Sequence, residues 1–395
     1  MDSNHESRLP NHGISGRITN HDSRFTPSRR GRWPRFLAAA LLPLVSGCTN
    51  LGYYWQSVSG QFEVWRRERP VAEVLADPTA AQALKDKLAR VLEIRAFASR
   101  ELGLPDNQSY RRYADLGRPF VLWNVFAAPE FSVEPLRWCF AFAGCVNYRG
   151  YFERAAAEQY AAELARQGHE VYIGGVPAYS TLGWFDDPVL STFIHYPDVE
   201  IARLVFHELA HQVAYAQDDT AFNESFASIV EQEGVRRWVA RVGDARHLEE
   251  FERTRRARGE FVQLVQKYRS RLDALYRTRL APEAMRERKS ALLAALDAEY
   301  RALKVEWGGY NRYDAWFARQ PNNAHLASVG IYTQLVPAFE ALLLRERGDL
   351  GRFYAAVKEL AALPKERRDA QLHALSQGGD KQTHHVTPIT PHSAR

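Results

Sequence analysis

The sequence predicts a mainly helical α+β chain, and three observations carry that prediction. Apolar residues recur at helical spacing through most of its length, as with Leu84, Leu88, Val91, Leu92 and Ile94. From Tyr110 to Glu134 the residues turn aromatic and β-branched, as at residues 120–126, which reads as strand. Residues 199–215 carry apolar side chains around almost the whole helical circumference, which is the pattern of a buried helix.

The chain has 395 residues, of which 46% are hydrophobic, 12% aromatic and 25% charged. That composition excludes wholesale disorder, and the length suits one large domain or two lobes. A net charge of +5 would suggest a nucleic-acid partner if it were spread over the chain. It is not. Residues 1–47 hold seven arginines against Asp2, Glu6 and Asp22, which leaves 45 basic and 44 acidic side chains in the rest. No nucleic acid is expected as a partner.

Taken in order, the chain opens on a leader. Arg29, Arg30, Arg32 and Arg35 precede an apolar stretch at residues 36–45, and small residues then lead to Cys48. Ten apolar positions are too few to span ~30 Å of hydrocarbon, which takes about 20. The pattern resembles a bacterial lipoprotein signal over residues 1–47, with Cys48 as the lipidated residue; a short buried helix before a cysteine is the alternative. The resemblance implies a lipid anchor in the cell envelope facing the periplasm, and Thr49 after the cysteine points to the outer membrane. In that oxidising compartment Cys139 and Cys145 are expected to form a disulfide, with two buried thiols as the alternative.

Beyond Cys48, residues 49–104 read as two helices, and residues 154–167 as an alanine-rich helix ended by Gly168. Residues 171–173 and 178–184 alternate as strands around Gly174, Gly175 and Pro177. Asp198 looks like the N-cap of the buried helix, and Asp219 with Thr220 like the caps of the next one. Phe261, Val265, Tyr268, Leu272 and Leu275, then Met285, Leu292, Leu296, Tyr300 and Leu303 after a break at Ala281-Pro282, predict a helical hairpin inserted at about residues 247–305. It would cover the cleft, or else serve as a partner-binding arm. Residues 351–375 form a last helical pair and close a domain spanning 48–375. The polar residues 376–395 are expected to be disordered.

The chemistry lies in the buried helix. His207-Glu208-Leu209-Ala210-His211 is an HExxH motif. Residues four apart share a helix face, so both imidazoles can reach one tetrahedral Zn²⁺ while Glu208 reaches the reacting water. Buried ionisable groups must be paired or bind metal, whereas ordinary core histidines would need hydrogen-bond partners. A third histidine at metzincin spacing is excluded by Ala214 and Gln217. On the following helix Glu224, Ser228 and Glu231 share a polar face that a short turn would fold back onto the histidines. Glu224 is the expected third ligand, with Glu231 as its rival.

These and other stretches resemble a known family. They include Trp138-Cys139-Phe140, Gly144-Cys145-Val146, Tyr148-Arg149-Gly150-Tyr151-Phe152, residues 175–188, His207 to Gln212, Asn223-Glu224-Ser225-Phe226-Ala227, Asn322-Asn323-Ala324, Tyr332 and Val336-Pro337-Ala338-Phe339. Over roughly residues 50–360 the chain is similar to proteobacterial HExxH lipoproteins identified as zinc aminopeptidases. The resemblance implies a zincin-like metallopeptidase core of gluzincin type, a zinc cofactor and a peptide substrate. Glu208 would act as general base, and an oxyanion donor is needed as well. Tyr332 is the candidate for that donor, with Tyr179 and His325 as rivals. The segment at 178–184 stands where such enzymes hold substrate by strand addition. The Gly-x-Met-Glu-Asn segment that holds a substrate's free amine in gluzincin aminopeptidases has no counterpart, since Met285 lies in Ala284-Met285-Arg286-Glu287. Cleavage at the N-terminus and internal cleavage therefore both stay open, as does a catalytically idle envelope scaffold.

Overall fold

The computed structural model describes residues 48–140, 144–242, 245–330 and 335–379. The leader at 1–47 and Tyr332 lie outside the described residues. Contacts below belong to the compact unit Tyr53–Arg395.

The chain begins with α1 (Cys48–Arg67), β1 (Glu68–Pro70), α2 (Val71–Ala76), α3 (Gln82–Leu102), β2 (Arg112–Ala114) and β3 (Leu122–Pro129). It continues with β4 (Trp138–Phe140), β5 (Gly144–Val146), β6 (Arg149–Tyr151), α4 (Arg154–Arg166), β7 (His169–Val176) and β8 (Val189–Leu190). Next come α5 (Asp198–His211), α6 (Thr220–Val242), α7 (Ala245–Tyr276) and α8 (Pro282–Glu306). The last elements are α9 (Asp314–Phe317), α10 (Asn323–Gly330), α11 (Val336–Arg345), α12 (Leu350–Ala361) and α13 (Lys365–Gly379). The fold is mainly helical α+β, as expected. No described helix is long and apolar enough to cross a membrane.

The antiparallel sheet β6-β3-β7 is built on β3. Alternation along β3 sends Trp123, Val125 and Ala127 to Ala157, Ala161 and Leu164 of α4, and Phe126 to the opposite face against Ala324 of α10. This places α4 and α10 on opposite faces. A second sheet, β1-β2-β8, ties the end of α1 to the chain before α5. Strands β4 and β5 pair Cys139 with Cys145, and the two form a disulfide, as expected.

The main core gathers apolar side chains of α3, α5, α6, α11 and α12. Helix α5 buries eleven of its fourteen residues, in keeping with its apolar circumference. At Gly234 of α6 a Cβ atom would collide with Leu102 and Phe206, so this glycine lets α6 lie close to α3 and α5. The hairpin of α7 and α8 breaks at Ala281-Pro282 as expected, and Phe261, Val265, Tyr268, Leu272, Leu296 and Tyr300 form its own apolar cluster.

Five local expectations need correction. Between residues 49 and 104 there are three helices and a short strand. Residues 178–184 are not a strand: Asp187 folds them into a loop by accepting from Thr181 N (3.1 Å), Ser180 Oγ (3.3 Å) and Gln212 Nε2 (3.3 Å), and Leu182 and Gly183 turn with φ of 57° and 78°. Asp198 does not cap α5 through its side chain, because Lys87 (2.7 Å) and Arg90 (3.2 Å) take its carboxylate. Helix α5 stops at His211 rather than Tyr215, since Asn223 grips both the N–H (2.7 Å) and the carbonyl (2.9 Å) of Ala216 and turns the chain. Helix α13 runs to Gly379, past the expected boundary at 375, and residues 380–395 lie outside the described residues.

Burial pushes the Asp187 carboxyl up to about 6, although its hydrogen bonds pull the other way. The folded pKa thus lies above the unfolded value of ~3.9, so ionising this group opposes folding. Its contribution to stability should fall by the order of 2–3 kcal/mol as pH rises from about 4 to about 6, and stay low above that. Asp187→Asn keeps an oxygen for Thr181 N and removes the ionisation. The variant should gain thermal stability relative to the wild type between pH 4 and 7, and melting curves at both ends of that range check it. Separately, the thiols of Cys139 and Cys145 should become open to alkylation only after reduction, as mass spectrometry of denatured protein would show.

Candidate metal centre

Three helices build the site. Helix α5 supplies His207, Glu208 and His211, and α6 supplies Glu224 and Glu231. Helix α7 reaches in with Arg258. The turn between α5 and α6 is fixed from both sides. Asp219 caps α6 through Phe222 N (3.2 Å) and is itself held by Lys365 (3.1 Å) and Arg368 (2.9 Å). Gln212, directly after the second histidine, is tied to Asn107 (2.7 Å), Ser109 (3.3 Å) and Asp187. Both imidazoles therefore sit on a helix whose C-terminal end cannot shift freely.

One donor atom from each of His207, His211 and Glu224 falls within 4.8 Å of the other two. Glu224 Oε2 stands 3.2 Å from His207 Nε2 and 3.9 Å from His211 Nε2. Ligands of a tetrahedral zinc at about 2.0–2.1 Å are separated by roughly 3.3–3.4 Å, so two imidazoles and a carboxylate converging in this way fit the ion. Among the described residues this is the one cluster of three or more metal-ligating side chains.

Glu231 stands outside the triad. Its carboxylate can only accept, so His207 Nδ1–H donates to it (2.9 Å), which leaves Nε2 as the nitrogen facing Glu224. Arg203 (3.2 Å) and Arg258 also pair with Glu231. Glu200 holds Arg203 (3.1 Å) and in turn pairs with Arg312 (2.9 Å). The sequence placed both glutamates on one polar face, and the geometry separates their positions by about two helical turns.

The electrostatics follow from burial and pairing. Burial pulls the His207 imidazole down, but hydrogen bonds to Glu224 and Glu231 outweigh it and push its pKa up to about 10. His211 has no such bond among the described residues, and burial pulls it down to about 4; its Nδ1 finds no hydrogen-bond partner among them. Burial alone would raise both Glu224 and Glu231. The bond from His207 holds Glu224 below the ordinary carboxylate value, and Arg258 and Arg203 hold Glu231 below it. Burial pushes Glu208 up to about 8, with the charges of Glu224 and Asp187 adding to it. A carboxyl poised to take and release a proton near neutrality thus lies beside the triad.

A cavity of about 650 Å³ opens onto His207, Glu208, His211 and Glu224. Seven aromatic residues line its walls: Tyr53 and Tyr54 of α1, Phe140, Tyr148, Phe152, Tyr179 and Tyr215. Edge strand β7 contributes Gly175 and Val176. Of the oxyanion candidates, Tyr332 lies outside the described residues. Tyr179 lines the cavity, but its hydroxyl donates to Gln61. His325 is packed on Tyr172 (4.1 Å between ring centres) and is not among the lining residues. Tyr148 and Tyr215 were missed as site residues. Both line the cavity close enough to Glu224 to be raised by its charge after the larger effect of burial, so both are neutral phenols. Tyr215 stands four residues beyond His211, a spacing that could have flagged it. Arg258 carried no sequence signal of its own, and Asp187 entered only as part of the family-like stretch 175–188.

The triad, Glu208 and the cavity all fall within residues 52–372, the stretch that matches the model of the family described as "Putative aminopeptidase". No curated protein and no solved structure matches the chain. The family match spans most of the 395 residues, and the chain therefore belongs to this aminopeptidase family.

Proposed function

We propose that the protein is a zinc-dependent peptidase with a zincin-like core, held in the cell envelope by a lipid on Cys48 and facing the periplasm, with the outer membrane as its site. The observation that supports it most is the convergence of His207, His211 and Glu224 beside a buried Glu208, at the floor of a cavity large enough for peptide side chains. Zinc held by those three residues would polarise a peptide carbonyl and acidify a water molecule.

The chain's own residues do the rest. Glu208 takes the proton of the attacking water and passes it to the leaving amine, a role suited to a carboxyl whose pKa has been raised by burial. Glu231 fixes the His207 ring through Nδ1. Tyr148 and Tyr215 join Tyr332 as donors for the developing oxyanion. Strand β7, not the expected segment at 178–184, is the edge strand that would take the substrate backbone, at its cavity end around Gly175. The carbonyls of Val171 and Ile173 point away from β3, accepting from Asn322 (3.1 Å) and Arg319 (2.7 Å). The two-residue period of the strand directs Gly175 to the same edge, within the cavity wall.

Family membership favours removal of N-terminal residues. A second reading, internal cleavage, has one observation behind it. Glu208 and Glu224 are the only carboxylates among the described lining residues, so no separate acid stands ready for a substrate's α-ammonium group. A library digest comparing free with acetylated N-termini separates the two readings.

Glu208→Gln preserves volume and should leave zinc content unchanged while peptide hydrolysis falls about 10²–10⁴-fold. Wild-type protein that is fully loaded with zinc and cleaves no peptide would point to the idle scaffold. His207→Ala or His211→Ala should abolish stoichiometric zinc, as read by elemental analysis. Glu224→Gln should lose zinc far more than Glu231→Gln. The Glu231 variant should instead lower thermal stability by about 1–3 kcal/mol, because it removes the charge that Arg203 and Arg258 pair with and weakens the bond from His207.

A further inference from the structure

Helix α1 has two faces with different environments. Tyr53, Ser57 and Gln61 line the cavity. On the other side, at 100° per residue, Trp55, Val58, Phe62 and Arg66 fall in one stripe about 80° wide. That stripe is open to solvent: Trp55 is 74% exposed, Val58 64% and Phe62 54%. Trp65 meets the ring of Phe185 edge-on, 4.7 Å between centres, which sets the tip of the 178–188 loop beside α1. At that tip Trp184 is 75% exposed and Phe185 48%. Five large apolar side chains exposed along one helix face and the adjoining loop mark an interaction surface.

We propose that this patch docks on a lipid bilayer, with Trp55, Val58, Phe62, Trp184 and Phe185 seated at the boundary between headgroups and acyl chains. Tryptophan is the residue most at home in that zone, where one edge of the ring is apolar and the other hydrogen-bonded to water and headgroups. The charge pattern agrees. Arg66 and Arg67 form the last turn of α1, and the stripe carries no acid. Glu63, the single acid in the helix, is turned to Arg67 (3.1 Å) and Arg118 (3.0 Å). The helix also begins at Cys48, directly after the arginine-rich and apolar segment of the sequence. A helix with its side chains is about 10–12 Å across, so the bilayer and the cavity would lie on the two sides of one helix. Substrates would then be peptide segments close to the membrane surface. Docking itself rests on neither zinc binding nor lipidation of Cys48.

The test uses the full chain with vesicles of phosphatidylethanolamine and phosphatidylglycerol whose acyl chains are brominated near the headgroup, a short-range quencher of tryptophan. Fluorescence is read on the vesicle-bound fraction. The wild type should be quenched, and Trp55→Tyr/Trp184→Tyr, which alters two exposed positions, should lose most of that quenching while its circular dichroism stays the same. Absence of a bound fraction, absence of quenching, or equal quenching in the double variant overturns the proposal. Protection of these tryptophans from aqueous acrylamide without quenching by bromolipid would mean that a protein or a second copy covers the face, and also overturns it.

Discussion

The buried carboxylate of Glu231 is the interaction on which the active region depends. It is fully removed from solvent, and leaving such a charge unpaired costs several kcal/mol. The chain surrounds it with His207 from α5, Arg203 from α5 and Arg258 from α7. Each partner must be in place for the others to be tolerated. Arg203 is shared with Glu200, which Arg312 approaches from the segment before α9. A run of alternating charges thus fixes α5, α6 and α7 against one another, and the orientation of the His207 ring is one of its outcomes.

The same economy governs the turn after the second histidine. A chain leaving α5 has to reverse within a few residues for α6 to return antiparallel and present Glu224. Asn223 achieves this by mimicking a backbone partner for Ala216, and Asp219 caps the new helix while neutralising Lys365 and Arg368 of the C-terminal segment. Asp218, with φ of 64°, accepts from Cys145 N, where only a glycine at 144 leaves room for its carboxylate. The disulfide-closed β4-β5 pair is therefore seated on the loop that joins the two helices carrying His207, His211 and Glu224.

Much of this was legible because helix periodicity and motif spacing are local properties. The buried character of α5, the return of Glu224 on a polar face, the break at Ala281-Pro282 and the pairing of Cys139 with Cys145 each follow from residues close in sequence. What escaped depends on tertiary partners. Residues 178–184 alternate like a strand, but a strand needs a neighbour, and Asp187 and Gln212 offered these backbone groups a loop instead. Asp198 has the chemistry of a cap, yet two cations on α3 compete for it more strongly than backbone N–H groups. Arg258 looks like any charged residue on a long solvated helix until its partner is known to be 27 residues away on α6.

That last contact changes how the hairpin should be regarded. With its own apolar cluster and a continuous pair of long helices, it has the look of a removable module. Excising it to obtain a minimal core would also excise Arg258, leaving Arg203 to balance the buried Glu231 carboxylate without it. The hairpin is structurally divisible only at its tip, where Arg277, Thr278 and Arg279 are exposed between the helices. Insertions and deletions can accumulate there without consequence for the centre, whereas the first four turns of α7 must keep both their length and their helical phase.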